Sequence, residues 1–227
     1  YQPGWMLLSY GKKVSVSSSL EGYPAENIVD EDARTAWVAQ SNRDMEWAQV
    51  DLQRLSSIHA IQVNFDEYGA NQKGAVSGVY QSYLIYASVN GEDWSLVVDY
   101  GTKKTDTPHD YIEFEEPFKA RYIKLQNKEY MVSENFSVRD LRIFGKGQGS
   151  TPRAVNDFTV ERDEADPCKA RLCWEAVPDA QGYIVRYGIA GDKLYNNFQV
   201  MGENTLEIGS LNKGCLLYTS DAADERS

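Results

Sequence analysis

Between residues 13 and 144 apolar and polar positions alternate in short runs with a period of two. That spacing predicts strands with two differently used faces. Val14 and Val16 alternate with polar neighbours over residues 13–17, and Ala48, Val50 and Leu52 alternate with Trp47, Gln49 and Asp51. Over residues 58–65, His59, Ile61, Val63 and Phe65 share one face, so His59 is read as a core or edge histidine rather than a ligand. Further strands are predicted at 80–88, 94–100, 111–114, 121–125 and 138–144. Asn90-Gly91 predicts a hairpin with a two-residue type I′ turn, which needs positive φ at both central positions. Three polar stretches, 66–78, 102–110 and 127–136, read as loops. No long helical period interrupts this pattern, so the chain is predicted to be all-β, opening with an antiparallel sandwich.

Lys146-Gly147-Gln148-Gly149-Ser150-Thr151-Pro152 breaks the pattern and reads as a linker. A second β pattern follows at Phe158-Thr159-Val160, Ala170-Arg171-Leu172-Cys173-Trp174-Glu175, Tyr183-Ile184-Val185-Arg186-Tyr187 and residues 206–211. The tryptophan followed by a Tyr-x-Val-x-Tyr strand resembles the second and third strands of a fibronectin type III domain. That resemblance implies an incomplete immunoglobulin-like sandwich over 155–214. Its third strand is expected to present an unpaired hydrogen-bonding edge, where Leu216-Leu217-Tyr218 could imitate the start of a partner strand but residues 221–226 cannot continue an apolar pattern. The tail CLLYTSDAADE resembles the translation of a sequencing-library adapter, so residues 215–227 are expected to be non-native and carry no functional reading.

Composition narrows the function classes. The chain carries 34 Asp and Glu against 23 Lys and Arg, a net charge of −11. This opposes nucleic-acid or anionic-membrane binding, which needs a basic footprint. No apolar run reaches the length of a membrane span. The opening Tyr1-Gln2-Pro3-Gly4-Trp5 has neither an initiator Met nor a signal-peptide pattern, so residues 1–7 are expected to be a linker from a missing upstream domain. With two histidines, no nucleophile or phosphate-loop motif and no carboxylate pair singled out by spacing, the chain is expected to be non-catalytic. Cys168 and Cys173, five apart on one predicted strand, are too far apart to pair with each other.

The stretch Asn27 to Trp37, NIVDEDARTAW, crowds carboxylates and a hydroxyl into one bend, a ligand set suited to a hard cation such as calcium. Turn capping by Asx hydrogen bonds is the alternative reading of Asp30 and Asp32. Together with the EWAQVDL strand at 46–52, the strand ARYIKL at 120–125 and the closing LRIFG at 141–145, this bend resembles the discoidin, or coagulation factor V/VIII type C, domain. The bacterial branch of that family includes carbohydrate-binding modules of family 32. The resemblance spans residues 8–147 and implies a jelly-roll-like, galactose-binding-like sandwich. It also implies a structural calcium ion held by Asn27, Asp30, Asp32, Thr35 and Asp140, although the last position usually carries the longer Glu. A glycan, such as a plant cell-wall polysaccharide or related oligosaccharide, would be held at one end of the sandwich. Asn42, Arg43, Tyr68, Asn71, Tyr130 and Asn135 are the candidate contacts there. Trp37, Trp47 and Trp94 are expected in the core.

The order of modules, with the stretches QPGWMLLSYGKKVSVSSS, TDTPHDYIEF and RYGIAGDKLY, resembles the C-terminal part of bacterial family 43 glycoside hydrolases. The resemblance implies an upstream catalytic propeller of β-xylosidase or α-L-arabinofuranosidase type, a secreted, periplasmic or cell-surface location, and no membrane or nucleic-acid partner. The chain itself would be an accessory region. A purely structural or an adhesion role is the competing expectation.

Overall fold

The computed structural model describes residues 5–70, 78–147, 155–178, 180, 182–189, 193–209, 211 and 216–222, the last stretch by its backbone. The chain divides into two compact units, one essentially 7–148 and the other beginning at Gly149.

The first unit is built from β1 (Met6–Leu7), β2 (Lys13–Val16), the 3-10 helix η1 (Ala25–Val29), β3 (Trp37–Val38), β4 (Trp47–Phe65), β5 (Gln81–Ser88), β6 (Ser95–Asp99), β7 (His109–Tyr130) and β8 (Ser137–Gly147). Its strands form one antiparallel sheet of order β1-β8-β4-β7-β5-β6, with β2 on β4 and β3 on β8. The sheet folds over on itself because β4 and β7 serve both layers. The start of β4 pairs with β2 and with the end of β7; its later part pairs with β8 and the start of β7. Apolar residues from both layers interlock between them, among them Val50, Ile61, Val63, Phe65, Tyr83, Ile85, Ile123, Leu125, Leu141 and Ile143. Full burial of each large apolar side chain contributes roughly 1.5–3 kcal/mol.

Where the layers meet, the register slips between Asp51 and Ser56 and again between Ile58 and Ala60. Gln53 lies at φ 66° in the first slip, and Asp51 is clasped there by Arg121 through bonds of 2.8 and 2.9 Å. The second slip sets Glu113 opposite Ala60 and Phe118 opposite Ile58, so Glu115, Glu116 and Pro117 bulge outward. These irregularities merge what the sequence reads as separate strands into two long ones. They also correct His59: an added residue reverses the in–out parity, so Ile58, Ala60 and Ile61 are buried while His59 stands half-exposed.

The hairpin β5–β6 forms, but its turn is not type I′. Gly91 has φ 82° and Asn90 does not share the positive sign. Instead the Asn90 side-chain oxygen accepts from the amides of Glu92 and Asp93, which widens the connection.

In the second unit β9 (Thr159–Arg162), β10 (Ala170–Cys173) and β13 (Thr205–Ile208) form a sheet of order β13-β10-β9. A second sheet has the order β12-β11-β14, from β11 (Gly182–Gly188), β12 (Asn196–Met201) and β14 (Leu216–Ala222). Trp174 meets Tyr183 edge-on at 5.2 Å among Leu172, Val185, Val200, Leu206 and Ile208. The expected open edge of the third strand is overturned. β11 is paired along both sides, with β14 running opposite it from Tyr183 to Gly188. Leu216-Leu217-Tyr218-Thr219 is a strand-favouring run, and an unpaired edge is a ready template for such a segment.

Candidate functional site

β3 ends at Val38, β4 at Phe65 and β7 at Tyr130, and β8 begins at Ser137, so the loops 39–46, 66–70 and 131–136 gather at one end of the sandwich. Backbone bonds lace them together: Ala39 N to the Phe136 carbonyl (2.8 Å), Phe136 N to Ser41 (2.9 Å) and Asp66 N to Ser137 (3.1 Å). Beneath them lies an aromatic floor in which Phe136 meets Tyr130 at 5.3 Å, Trp37 at 5.8 Å and Phe65 at 6.1 Å.

The residues expected to contact a glycan fall into two groups. Asn42, Asn135 and Tyr130 hold the end together. The Asn42 amide donates to the carbonyls of Ser133 (2.8 Å) and Tyr130 (3.3 Å), and the Asn135 amide donates to Ala39 (2.9 Å). Tyr130 is corrected as a stacking platform. Its ring is buried in the floor, its hydroxyl donates to the Asp66 carbonyl, and burial pushes that hydroxyl above the ordinary tyrosine range. Arg43 and Tyr68 remain outward: Arg43 is exposed, and Tyr68 is half-exposed with its ring edge-on to Tyr23 at 4.9 Å. Asn71 lies outside the described residues.

Two residues that organise this end were not singled out from the sequence. Asn127 is fully buried and its amide donates to the carbonyls of Asn42 (2.8 Å) and Arg43 (2.9 Å). It continues the inward parity of Ile123 and Leu125, so a polar residue at an inward strand position was its signal. Glu46 collects the hydroxyls of Ser17, Ser18 (2.8 Å) and Ser41 (2.6 Å). Partial burial raises its carboxyl's pKa, but these donors outweigh that and hold it below the usual range.

The acidic bend follows η1. Asp30 accepts from the amide of Asp32 (2.8 Å) and from the hydroxyl of Thr35 (2.8 Å), an Asx turn fixed by Glu31 at φ 61°. The Asn27 amide donates to Ala36, and the Asp32 carbonyl takes both the amide and the hydroxyl of Thr35. The Asp32 carboxylate instead faces Arg34. From β8, the buried Asp140 accepts from Asn64 (2.8 Å). Burial pushes its carboxyl up and the Asp30 charge adds to this, against the Asn64 bond and the guanidinium groups of Arg142 and Arg139. The bend and the closing strand thus lie near enough for the Asp30 charge to bear on Asp140. Among the described residues no group of three or more His, Cys, Asp and Glu side chains is placed to hold a metal ion.

Trp37 is in the core as expected, with its indole nitrogen donating to Ser18 (3.0 Å). Trp47 and Trp94 are not. Both are half-exposed on the outward face of the β2–β4–β7–β5–β6 layer, flanking the Lys124 ammonium.

This fold and sequence have known counterparts. The F5/8 type C domain profile matches residues 13–140, more than half of the chain. Lactadherin of Rattus norvegicus is 33% identical over 110 residues, covering 45% of this chain and 25% of that protein. Lactadherin of Mus musculus is 32% identical over 110 residues, covering 45% and 23%. The chain therefore spans about a quarter of the length of these relatives. Among solved structures, chitosan-binding module 1 of a chitosanase/glucanase from Paenibacillus sp. IK-5 superposes with a TM-score of 0.52 at 20% identity, covering 62% of this chain and 99% of that one. The family 32 carbohydrate-binding module of C. perfringens NanJ, solved with galactose, gives 0.50 at 17%, covering 62% and 98%. Profile, relatives and sandwich agree on one assignment: the chain belongs to the F5/8 type C domain family.

Proposed function

We propose that residues 8–147 form a non-catalytic glycan-binding module whose ligand docks at the loop end. The observation that carries this reading is the Tyr23–Tyr68 pair, half-exposed beside loops already locked by Asn42, Asn127 and Asn135. Pyranose rings present C–H faces that stack on aromatic rings, and the exposed Arg43 guanidinium is a fork for ring hydroxyls. Loops fixed before binding lose little freedom on contact, which suits a shallow, wet site of modest affinity. Similarity to modules solved with chitotriose and with galactose supports the same class of ligand.

In this proposal the module belongs to the accessory region of a secreted bacterial glycoside hydrolase of family 43 type acting on xylan or arabinoxylan, with a fibronectin type III spacer behind it. The spacer is supported by the strand orders β13-β10-β9 and β12-β11-β14 and by Trp174, just past β10, meeting Tyr183 of β11 edge-on. Calcium would be held by Asp30 and Asp140 with oxygens of Asn27, Asp32 and Thr35. The donor set fits in one respect: a buried carboxyl beside a second one is the charge a hard cation relieves. Its role would be to pin the bend to β8.

A structural reading, in which the module packs on a neighbouring domain and binds no sugar, is favoured by the internal use of Asn42, Tyr130 and Asn135. Titration against xylan-, arabinose- and galactose-containing oligosaccharides separates the two. Millimolar binding that Tyr68→Ala abolishes supports the glycan site. No binding across the set at that concentration supports the structural role.

A further inference from the structure

The outward face of the β2–β4–β7–β5–β6 layer carries a set of side chains that the loop-end site does not use. On β4, Trp47 and Gln49 point out while Ala48 and Val50 are buried; on β7, Tyr122, Lys124 and Gln126 point out while Ile123 and Leu125 are buried. Register places Lys124 between Gln49 of β4 and Tyr86 of β5, and Gln126 opposite Trp47. The Lys124 ammonium lies 3.7 Å from the ring centre of Trp94 and 5.4 Å from that of Trp47. Neighbouring cations are compensated, Arg121 by Asp51 and Lys128 by Asp44. Lys124 is not. Among the described residues it meets no carboxylate, and partial burial alone lowers its pKa. A partly desolvated cation with no carboxylate beside it is a local place for an anion, even in a chain whose net charge of −11 opposes anions at long range.

We propose that this face is a second carbohydrate surface, for an acidic chain of hexuronate residues. Pyranose faces stack on Trp47 and on the face of Trp94 turned away from Lys124, a carboxylate meets Lys124, and ring hydroxyls meet the planar amides of Gln49 and Gln126. The geometry disfavours other anions. Nucleic acid draws its affinity from several phosphate contacts, more than the single Lys124 ammonium between these indoles supplies. An acidic peptide offers no flat C–H face for two indoles. The surface shares none of Tyr23, Arg43 and Tyr68, so it stands or falls separately from the loop-end reading.

The test is titration of the full chain with tetragalacturonate and with its methyl ester, followed by tryptophan fluorescence. The acid should bind in the millimolar range or tighter and lose affinity as salt rises. The ester should bind about tenfold more weakly, the ratio one charge-assisted hydrogen bond gives. Lys124→Met keeps an unbranched side chain of similar length, removes the charge and should weaken the acid about tenfold without affecting the ester. Trp94→Ala should weaken both, and Tyr68→Ala neither. Equal affinity for acid and ester, indifference to Lys124→Met, or no response to the acid at 10 mM, a ceiling of roughly −2.7 kcal/mol, would overturn the proposal.

Discussion

The loop end and the outward sheet face use polar side chains in opposite ways. At the loop end Asn42, Asn127, Asn135 and Glu46 are turned inward onto main chain and serines, and an aromatic floor lies beneath them. On the sheet face Gln49, Gln126 and Lys124 stand outward beside two half-exposed indoles. Loops need side chains to fix their backbone because they have no ladder, whereas a strand's backbone is already paired and its outward side chains are left available. Residue type alone therefore misleads. An asparagine in a loop is more often a strut than a contact, and a tryptophan on a strand is not core by default.

The widest expected gap is in stability. Phe136→Ala, which empties the floor, should cost about 3–5 kcal/mol in urea denaturation. Trp94→Ala, on the open face, should cost less than half as much. Equal losses would mean that the face is part of the core. Calcium comes next. At one hundred times its dissociation constant it should stabilise metal-free protein by roughly 2.7 kcal/mol. It should shift the amide resonances of residues 27–35 and 140 while leaving those of Lys124 and Trp94 in place, and Asp30→Ala should remove both effects. An identical melt with calcium and with chelator would refute the ion.

A smaller effect is expected at Asn127. Its replacement by Ala removes the donor to the carbonyls of Asn42 and Arg43 and empties a buried polar position, for a loss of about 2 kcal/mol, and should loosen residues 42–43 as seen by faster amide exchange there. Smallest is the pH response of Glu46. Its folded pKa is depressed, so its contribution is complete above the ordinary value of 4.5 and disappears as the pH falls through the folded value. Glu46→Gln should flatten the stability curve in that acid window and leave it unchanged in shape above pH 4.5.

Strand parity carried most of the legible information. Alternation at 47–52 and 58–65 located the two layers' core, and the EWAQVDL stretch carried the family. The same alternation already set Trp47 with Gln49 and Asp51, on the side now seen to face outward. What parity could not show were the irregularities: the slips at 51–56 and 58–60 join strands, and the second of them turns His59 out. Asn90-Gly91 marked a hairpin, but the competition of the Asn90 side chain for the amides at 92 and 93 selected a different turn. Within the candidate site, the acidic bend was legible as local chemistry. Tyr23 meeting Tyr68, and Asn127 reaching back to residues 42–43, depend on contacts far apart along the chain.

The sharing of β4 and β7 between both layers also shapes how the first unit opens. A sandwich of two separate sheets can fray one sheet at a time, each with its own protection against solvent exchange. Here any opening that parts the layers must break hydrogen bonds in both halves of the same two strands. Amides at Val50, Ile61, Ile123 and Ile143 should then exchange with one common free energy, as a single foldon, with separable behaviour confined to the loops.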